Sequence, residues 1–238
     1  MDLLYRKEYT VLSKDVDGNR DLRLSVMFSM IQEAAIAHTT ELGMGRHMTL
    51  DRGFLWIITI QDVAVTRLPV YDEKIAIESW PGKTMHVYFP RYTRILSESG
   101  DILVEASTIW GLMDRNDRHL IFPEEHDIEI PENKEMPTLS FPRSPVIKNG
   151  VKVNSFTVPY SYIDINGHMN NTRYFDLAED TMPEKLHDRT PKRIRTSYSL
   201  EVPYKASIDL LTEITDTSYA MEGLSSDGKT FFKLSFEY

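Results

Sequence analysis

The stretch YIDINGHMNNTRYFDLAED, residues 162–180, and its counterpart SKDVDGNRDLRLS, residues 13–25, decide how this chain folds. Each follows a strand-like run, turns on Asp, Gly and Asn, and leads into a helical pattern. After the first, LRLSVMFSMIQEAAIAHTTELG (22–43) repeats Leu24, Met27, Phe28, Ile31, Ala35, His38 and Leu42 at steps of three and four, the spacing of one helix face. Val26, Met30, Ala34 and Ile36 make its other faces apolar too, so the helix is expected to be enclosed, with Gly43 as its stop. After the second, a helix is expected to begin near Asn170, with Tyr174, Leu177, Ala178 and Met182 on its apolar side and Pro183 limiting its length.

Both helices are followed by β-type runs rich in branched and aromatic residues. The first set is 53–68, 73–81, 86–100 and 101–114; the second is 193–204, 207–216, 218–226 and 229–238. The turn SESGD (97–101) has its counterpart in SSDGK (225–229), and RLPVYDEKIAIES (67–79) resembles EVPYKASIDLLTE (201–213). The order strand, long helix, antiparallel meander is therefore written twice. A sheet with one helix on its face must curl around that helix to bury it, and two such units side by side can share one long sheet. Five of the twelve prolines, Pro123, Pro131, Pro137, Pro142 and Pro145, lie between the copies, where an extended linker is expected.

With 238 residues, 41% hydrophobic and 26% charged, the composition is that of a soluble globular chain. The net charge of −9 argues against general nucleic-acid binding. The chain has no cysteine, which excludes disulfides, thiolate metal sites and a Cys nucleophile, and fits a reducing cytoplasm. MDLLYRKEYTVL (1–12) breaks its apolar run with Arg6, Lys7 and Glu8, unlike a signal peptide, and no apolar run is long enough to span a bilayer, so no membrane insertion is expected. Scattered histidines without ligand spacing offer no metal site, and the phosphate-binding glycine patterns of nucleotide enzymes are missing, so no cofactor is expected.

The chemistry concentrates in DINGHMNN (164–171). Asp164, Asn166 and His168 alternate, which places them on one side of an extended chain. Asp, Asn and Gly also serve plain turns, and Asn is a good helix cap. The first copy, however, makes the same strand-to-helix connection without His or the paired Asn, so folding alone does not require the constellation. A carboxylate beside an imidazole can fix its tautomer, an amide can donate to an oxyanion, and a helix start at Asn170 aims N–H groups at the same place. This set suits acyl chemistry by water attack or by direct attack of the carboxylate, without a metal. His38 reads as a core histidine. Met27, Met30, Trp56 and Trp110 read equally as packing or as the wall of an acyl tunnel, and we assign them to that wall.

DINGHMNNTRYFD resembles the D-x-N-x-H-x-N-N-x-x-Y motif of acyl-acyl carrier protein thioesterases, the double hotdog enzymes of plants and bacteria. FSMIQEAAIAHTTELG (28–43), the strand pair at 53–81 and EASTIWGLMDRNDRHLIFPEE (105–125) resemble other parts of that family, so the likeness covers most of the chain. The resemblance implies an α+β tandem double hotdog, two antiparallel sheets each wrapped around a long central helix. The units would be residues 1–125, a proline-rich linker at 126–149, and residues 150–238. It implies hydrolysis of a fatty acyl-acyl carrier protein thioester in lipid metabolism, with Asp164, Asn166 and His168 catalytic and Asn170 supporting. The partner is then an acyl carrier protein bearing a phosphopantetheine-linked acyl chain, and a homodimer is compatible with the sequence. Two alternatives are a thioesterase for acyl-coenzyme A and a non-catalytic acyl-binding protein. Arg143, Lys148, Lys152, Lys192, Arg193 and Arg195 are expected to steer the acidic carrier protein. Plant members carry a Glu–Cys pair after the second helix; here SLEVPYKASIDLL (199–211) has no Cys, and Glu201 is not expected to replace that pair.

Overall fold

The alternating runs of both halves pair as antiparallel strands of one sheet in the computed structural model, which describes residues 2–238. In the first half these are β1 (Tyr5–Thr10), β2 (Phe54–Val65), β3 (Lys74–Pro81), β4 (Tyr88–Ser97) and β5 (Ile102–Asp114). In the second they are β6 (Val151–Thr157), β7 (Arg193–Tyr198), β8 (Ser207–Ile214), β9 (Ser218–Leu224) and β10 (Thr230–Glu237). The order across the sheet is β1-β3-β4-β5-β2-β7-β10-β9-β8-β6. From either edge inward, each half runs first strand, third, fourth, fifth, second. The repeat in the sequence is thus a repeat in topology. The two sheets join edge to edge through β2 and β7 into one ten-stranded sheet, the shared arrangement that side-by-side units allow.

Three α-helices accompany it: α1 (Leu24–Glu41), α2 (Arg46–Asp51) and α3 (Arg173–Thr181). The α1 face predicted by spacing is buried, including Leu24, Met27, Phe28, Ile31, Ala35 and His38. The short α2 has no counterpart in the periodicity reading. α3 begins later than expected, at Arg173, because Asn170 Oδ1 accepts both the N–H and the Oγ1–H of Thr172 at 2.9 Å and holds the chain in a turn. It ends at Thr181 because Met182, placed before Pro183, turns to an extended ψ of 152°.

The two helices meet through Phe28 and Phe175, whose rings lie 3.7 Å apart, and one apolar core runs across both halves. Met27 and Met30 belong to that core and not to a tunnel wall. They occupy the first half of α1, whereas the cavity described below borders the helix only from Gln32 onward. Residues 127–150 form neither helix nor strand. They are tied to the first half by buried Ile128 and Ile130 and by a 3.1 Å bond from Trp80 Nε1 to Pro137 O. No helix among the described residues is long and apolar enough to cross a membrane.

Candidate active site

The loop at 163–169 folds back on itself. The Asp164 N–H donates to His168 O at 2.9 Å, and the Gly167 N–H donates to Asp164 O at 3.0 Å. Gly167 takes a φ of +83°, open to glycine at little cost. Asp164 Oδ1 accepts the backbone N–H of Asn166 at 2.8 Å and lies 3.5 Å from that of His168. Asp164, Asn166 and His168 are therefore gathered by a tight reversal, not by the alternation of an extended strand. Asp164 holds the loop through Oδ1 and makes no side-chain bond to the imidazole.

The carboxylate beside His168 is Glu201. The Met169 N–H donates to Val202 O at 2.8 Å and His168 pairs across to Pro203, which clamps the loop onto the segment after β7. His168 Nδ1 then stands 3.3 Å from Glu201 Oε1, within ion-pair reach although not aligned as a hydrogen bond. Glu201, which was not expected to replace the Glu–Cys pair, is thus the carboxylate that the fold brings beside His168. The residue after Glu201 is Val202, which is fully buried. Arg118, in the turn after β5, lies 3.0 Å from Glu201 Oε2. Arg46, the first residue of α2, donates from Nη2 to Asn166 Oδ1 at 3.1 Å. That bond orients the amide and leaves Asn166 Nδ2 free to donate elsewhere. Asn170 spends its Oδ1 on Thr172 and likewise keeps its Nδ2.

These groups border one cavity of about 820 Å³ that runs from the loop into the first half. Its apolar wall includes Trp56, Ile58, Phe89 and Trp110, so the two tryptophans line it as expected. Trp56 is held by edge contacts to Phe89 and Trp110, with centroids 4.9 and 6.5 Å apart, and by its Nε1 bond to Met44 O at 2.9 Å. Tyr174 and Tyr198 border the cavity beside the loop, and burial pushes both phenols up, so they stay neutral. His38 is a satisfied core residue: Nε2 lies 3.1 Å from Asp2 O, and Nδ1 lies 3.0 Å from Arg91 Nη1. Burial, the largest influence on it, lowers its pKa and keeps it neutral.

The basic groups expected near the site are elsewhere. Arg193 and Arg195 are engaged by Asp62, Lys152 pairs with Asp209 at 2.7 Å, and none of the six borders the cavity. The cations that do are Arg46, Arg91 and Arg118, all from the first half. Sequence reasoning missed these three because they reach their partners across long stretches of chain, 120 residues for Arg46–Asn166 and 83 for Arg118–Glu201.

Two sheet-and-helix units fused into one sheet, with a single cavity walled by both, define a tandem double hotdog protein. Residues 2–126 match the acyl-ACP thioesterase N-terminal domain and residues 148–231 match the C-terminal domain of the same enzymes. The chain belongs to the acyl-ACP thioesterase family. It is similar to a chloroplastic acyl-[acyl-carrier-protein] hydrolase of Cuphea viscosissima, 23% identical over 98% of this chain and 60% of the relative. It is also similar to a chloroplastic dodecanoyl-[acyl-carrier-protein] hydrolase of Cinnamomum camphora, 25% identical over 91% of this chain and 60% of that one. The chain thus spans about three-fifths of the length of these relatives. Its fold matches that of an acyl-ACP thioesterase from Bacteroides thetaiotaomicron with a TM-score of 0.84 and 19% identity, over 98% and 97% of the two chains. The 12:0-ACP thioesterase from Umbellularia californica gives the same TM-score, 0.84, with 19% identity over 100% and 97%.

Proposed function

We propose that this chain hydrolyses the thioester of a fatty acyl-acyl carrier protein, releasing free fatty acid and carrier protein. The observation that carries the reading is the His168–Glu201 contact at the mouth of an apolar cavity with Asn166 beside it. The family membership and the names of its relatives support the same reaction.

In this reading the Glu201 carboxylate beside Nδ1 keeps the imidazole proton on that nitrogen and leaves Nε2 as the base. Nε2 takes a proton as the water oxygen attacks the thioester carbonyl carbon. Negative charge builds on the carbonyl oxygen, where Asn166 Nδ2, oriented by Arg46, donates, supported by Asn170 Nδ2. As the carbon–sulfur bond breaks, His168 returns the proton to the departing thiolate. Asp164 maintains the reversal that carries Asn166 and His168, and its Oδ2 remains for water. Both walls of the cavity come from one chain, so a second copy is not needed to complete it.

The test is thiol release from acyl-carrier protein substrates of eight to eighteen carbons, beside the matched acyl-coenzyme A compounds. Asn166→Ala is expected to lower kcat by about a hundredfold or more, in line with the loss of one oxyanion donor. His168→Ala and Glu201→Gln are expected to lower it at least as far while the fold persists. Near-normal turnover in Glu201→Gln together with loss in Asp164→Asn would transfer the base or nucleophile role to Asp164. Saturable acyl binding without any release would make the chain an acyl-binding protein.

A further inference from the structure

Arg91 is a part of the cavity that thioester hydrolysis leaves unused. It lies on β4 with 5% of its surface exposed, yet it borders the cavity together with Thr39. Its hydrogen-bond partners are all uncharged: His38 Nδ1 at 3.0 Å, Thr39 Oγ1 at 3.0 Å and Ser79 Oγ at 3.4 Å. Among the described residues no Asp or Glu forms an ion pair with it. Burial alone pulls its pKa down to about 10, so the guanidinium stays charged near neutrality. A buried charge without a counter-charge is costly, and an apolar chain laid against it leaves that cost standing.

A second donor occurs in the same wall. Trp110 borders the cavity, and its buried indole N–H has no acceptor. Phe89 pairs with Trp110 in the register of β4 and β5, and Arg91 pairs with Thr108 two residues along. The place of this pair relative to the reacting carbonyl follows from the sheet order. β4, β5, β2 and β7 are consecutive, so Arg91 lies three strand spacings, roughly 14 Å, from the strand that leads into Glu201. An acyl chain with its thioester at His168 and its body along the wall of Trp56 and Trp110 points its far end toward β4.

We propose that the cavity is built for acyl chains bearing an oxygen acceptor toward their far end, with the Arg91 guanidinium as the recognising donor. The inference rests on the thioesterase reading above and adds the substrate class. A hydroxyl, an oxo group and a carboxylate share the acceptor chemistry; the carboxylate adds charge pairing with the guanidinium. A plain chain leaves the Arg91 charge without an acceptor from the substrate, and a site built around such a group discriminates against an analogue lacking the polar group.

The experiment compares decanoyl, ω-hydroxydecanoyl and ω-carboxynonanoyl thioesters of the carrier protein on the wild type and on Arg91→Met. The wild type is expected to favour at least one oxygenated chain over the plain one by about tenfold in kcat/KM, the worth of one charge-assisted hydrogen bond. Arg91→Met is expected to abolish that ratio, whatever it does to the absolute rate on the plain chain. The hydroxy and carboxy arms show which acceptor is preferred. A wild-type preference for the plain chain overturns the proposal. An Arg91→Met variant that lowers all three rates by one factor also overturns it, because a guanidinium that only braces α1 against β4 cannot alter a ratio between substrates. Calorimetric binding of the three free acids to wild-type protein supplies a readout that needs neither turnover nor a folded variant. Tighter binding of an oxygenated acid with no thiol release from any thioester would keep this inference and sink the hydrolytic one; equal or weaker binding would overturn this one.

Discussion

At the scale of single residues, the packing around the second-half strands tolerates very little. Gly223 on β9 faces Phe232 across the ladder, and a Cβ there would overlap Phe232 Cε1 and lie 2.9 Å from Ile208 Cγ2. Both neighbours are fully buried, and Phe232 stacks on Tyr174 at 4.1 Å, so the strain would pass to a residue that borders the cavity. Gly223→Ala is expected to cost about 1–3 kcal/mol by overpacking. Gly111 on β5 is the control. A Cβ there crowds the tip of the Leu120 side chain, 2.6 Å away, which can rotate, and meets Val87 O at an ordinary 3.7 Å, so Gly111→Ala is expected to fall within about 0.5 kcal/mol of wild type. Urea midpoints of the two variants decide the matter; equal shifts would mean that the Phe232 ring has room to move. The same scale holds the residues whose roles were not legible. Glu201 looks like an ordinary strand-end carboxylate in the sequence, and only the clamp between Met169 and Val202 carries it to His168.

At the scale of elements, the contact between α1 and α3 contains a titration. Burial raises the Glu179 carboxyl from its ordinary 4.5 to about 7, with nearby Asp176 pushing the same way and Arg23 opposing. Glu179 therefore holds its proton more tightly folded than unfolded. Its cost to stability is absent below the unfolded value, grows as pH rises from about 4.5 to about 7, and stays constant above that. The full cost is about 3 kcal/mol. Glu179→Gln is expected to be more stable than wild type at pH 8 and indistinguishable from it at pH 4, with the difference opening between. Guanidinium denaturation at several pH values measures this, and a difference that does not vary with pH would remove Glu179 from the account. Helix α1 was legible from its three-and-four spacing because burial on one face is what that spacing encodes. The start of α3 was not, because a side chain at Asn170 competes locally for the backbone.

At the scale of the whole molecule, the seam between β2 and β7 makes two units into one. Asp62 on β2, 5% exposed, takes a two-pronged contact from Arg193 at 2.7 and 2.8 Å and a third from Arg195 at 3.3 Å. Arg193 and Arg195 stand on β7, so the cluster crosses the seam. Asp62→Asn would leave two guanidinium groups facing an amide. The arginine side chains are 39% and 22% exposed, so water recovers part of the loss, and the expected cost is about 2–3 kcal/mol. A shift under about 0.5 kcal/mol in the unfolding free energy would show that the backbone ladder alone holds the seam. The cluster also holds these arginines at the seam and away from the cavity, whose arginines are Arg46, Arg91 and Arg118.

The sequence by itself determined the duplicated architecture, because hydrophobic period, turn chemistry and their order are local properties that survive in a linear reading. It also located Asp164, Asn166 and His168, which sit within five residues of one another, and it placed Trp56 and Trp110 on the cavity wall through their strands. Only the tertiary structure decided which carboxylate stands beside His168, which cations border the cavity, and that Met27 and Met30 are core. Those are consequences of the clamp between the loop and the segment after β7, and of the seam that brings the first half's α2 and β5 turn against the second half's loop. Contacts between residues far apart in the chain leave no periodic trace, since their spacing is set by how two completed sheets pack and not by the repeat of either one.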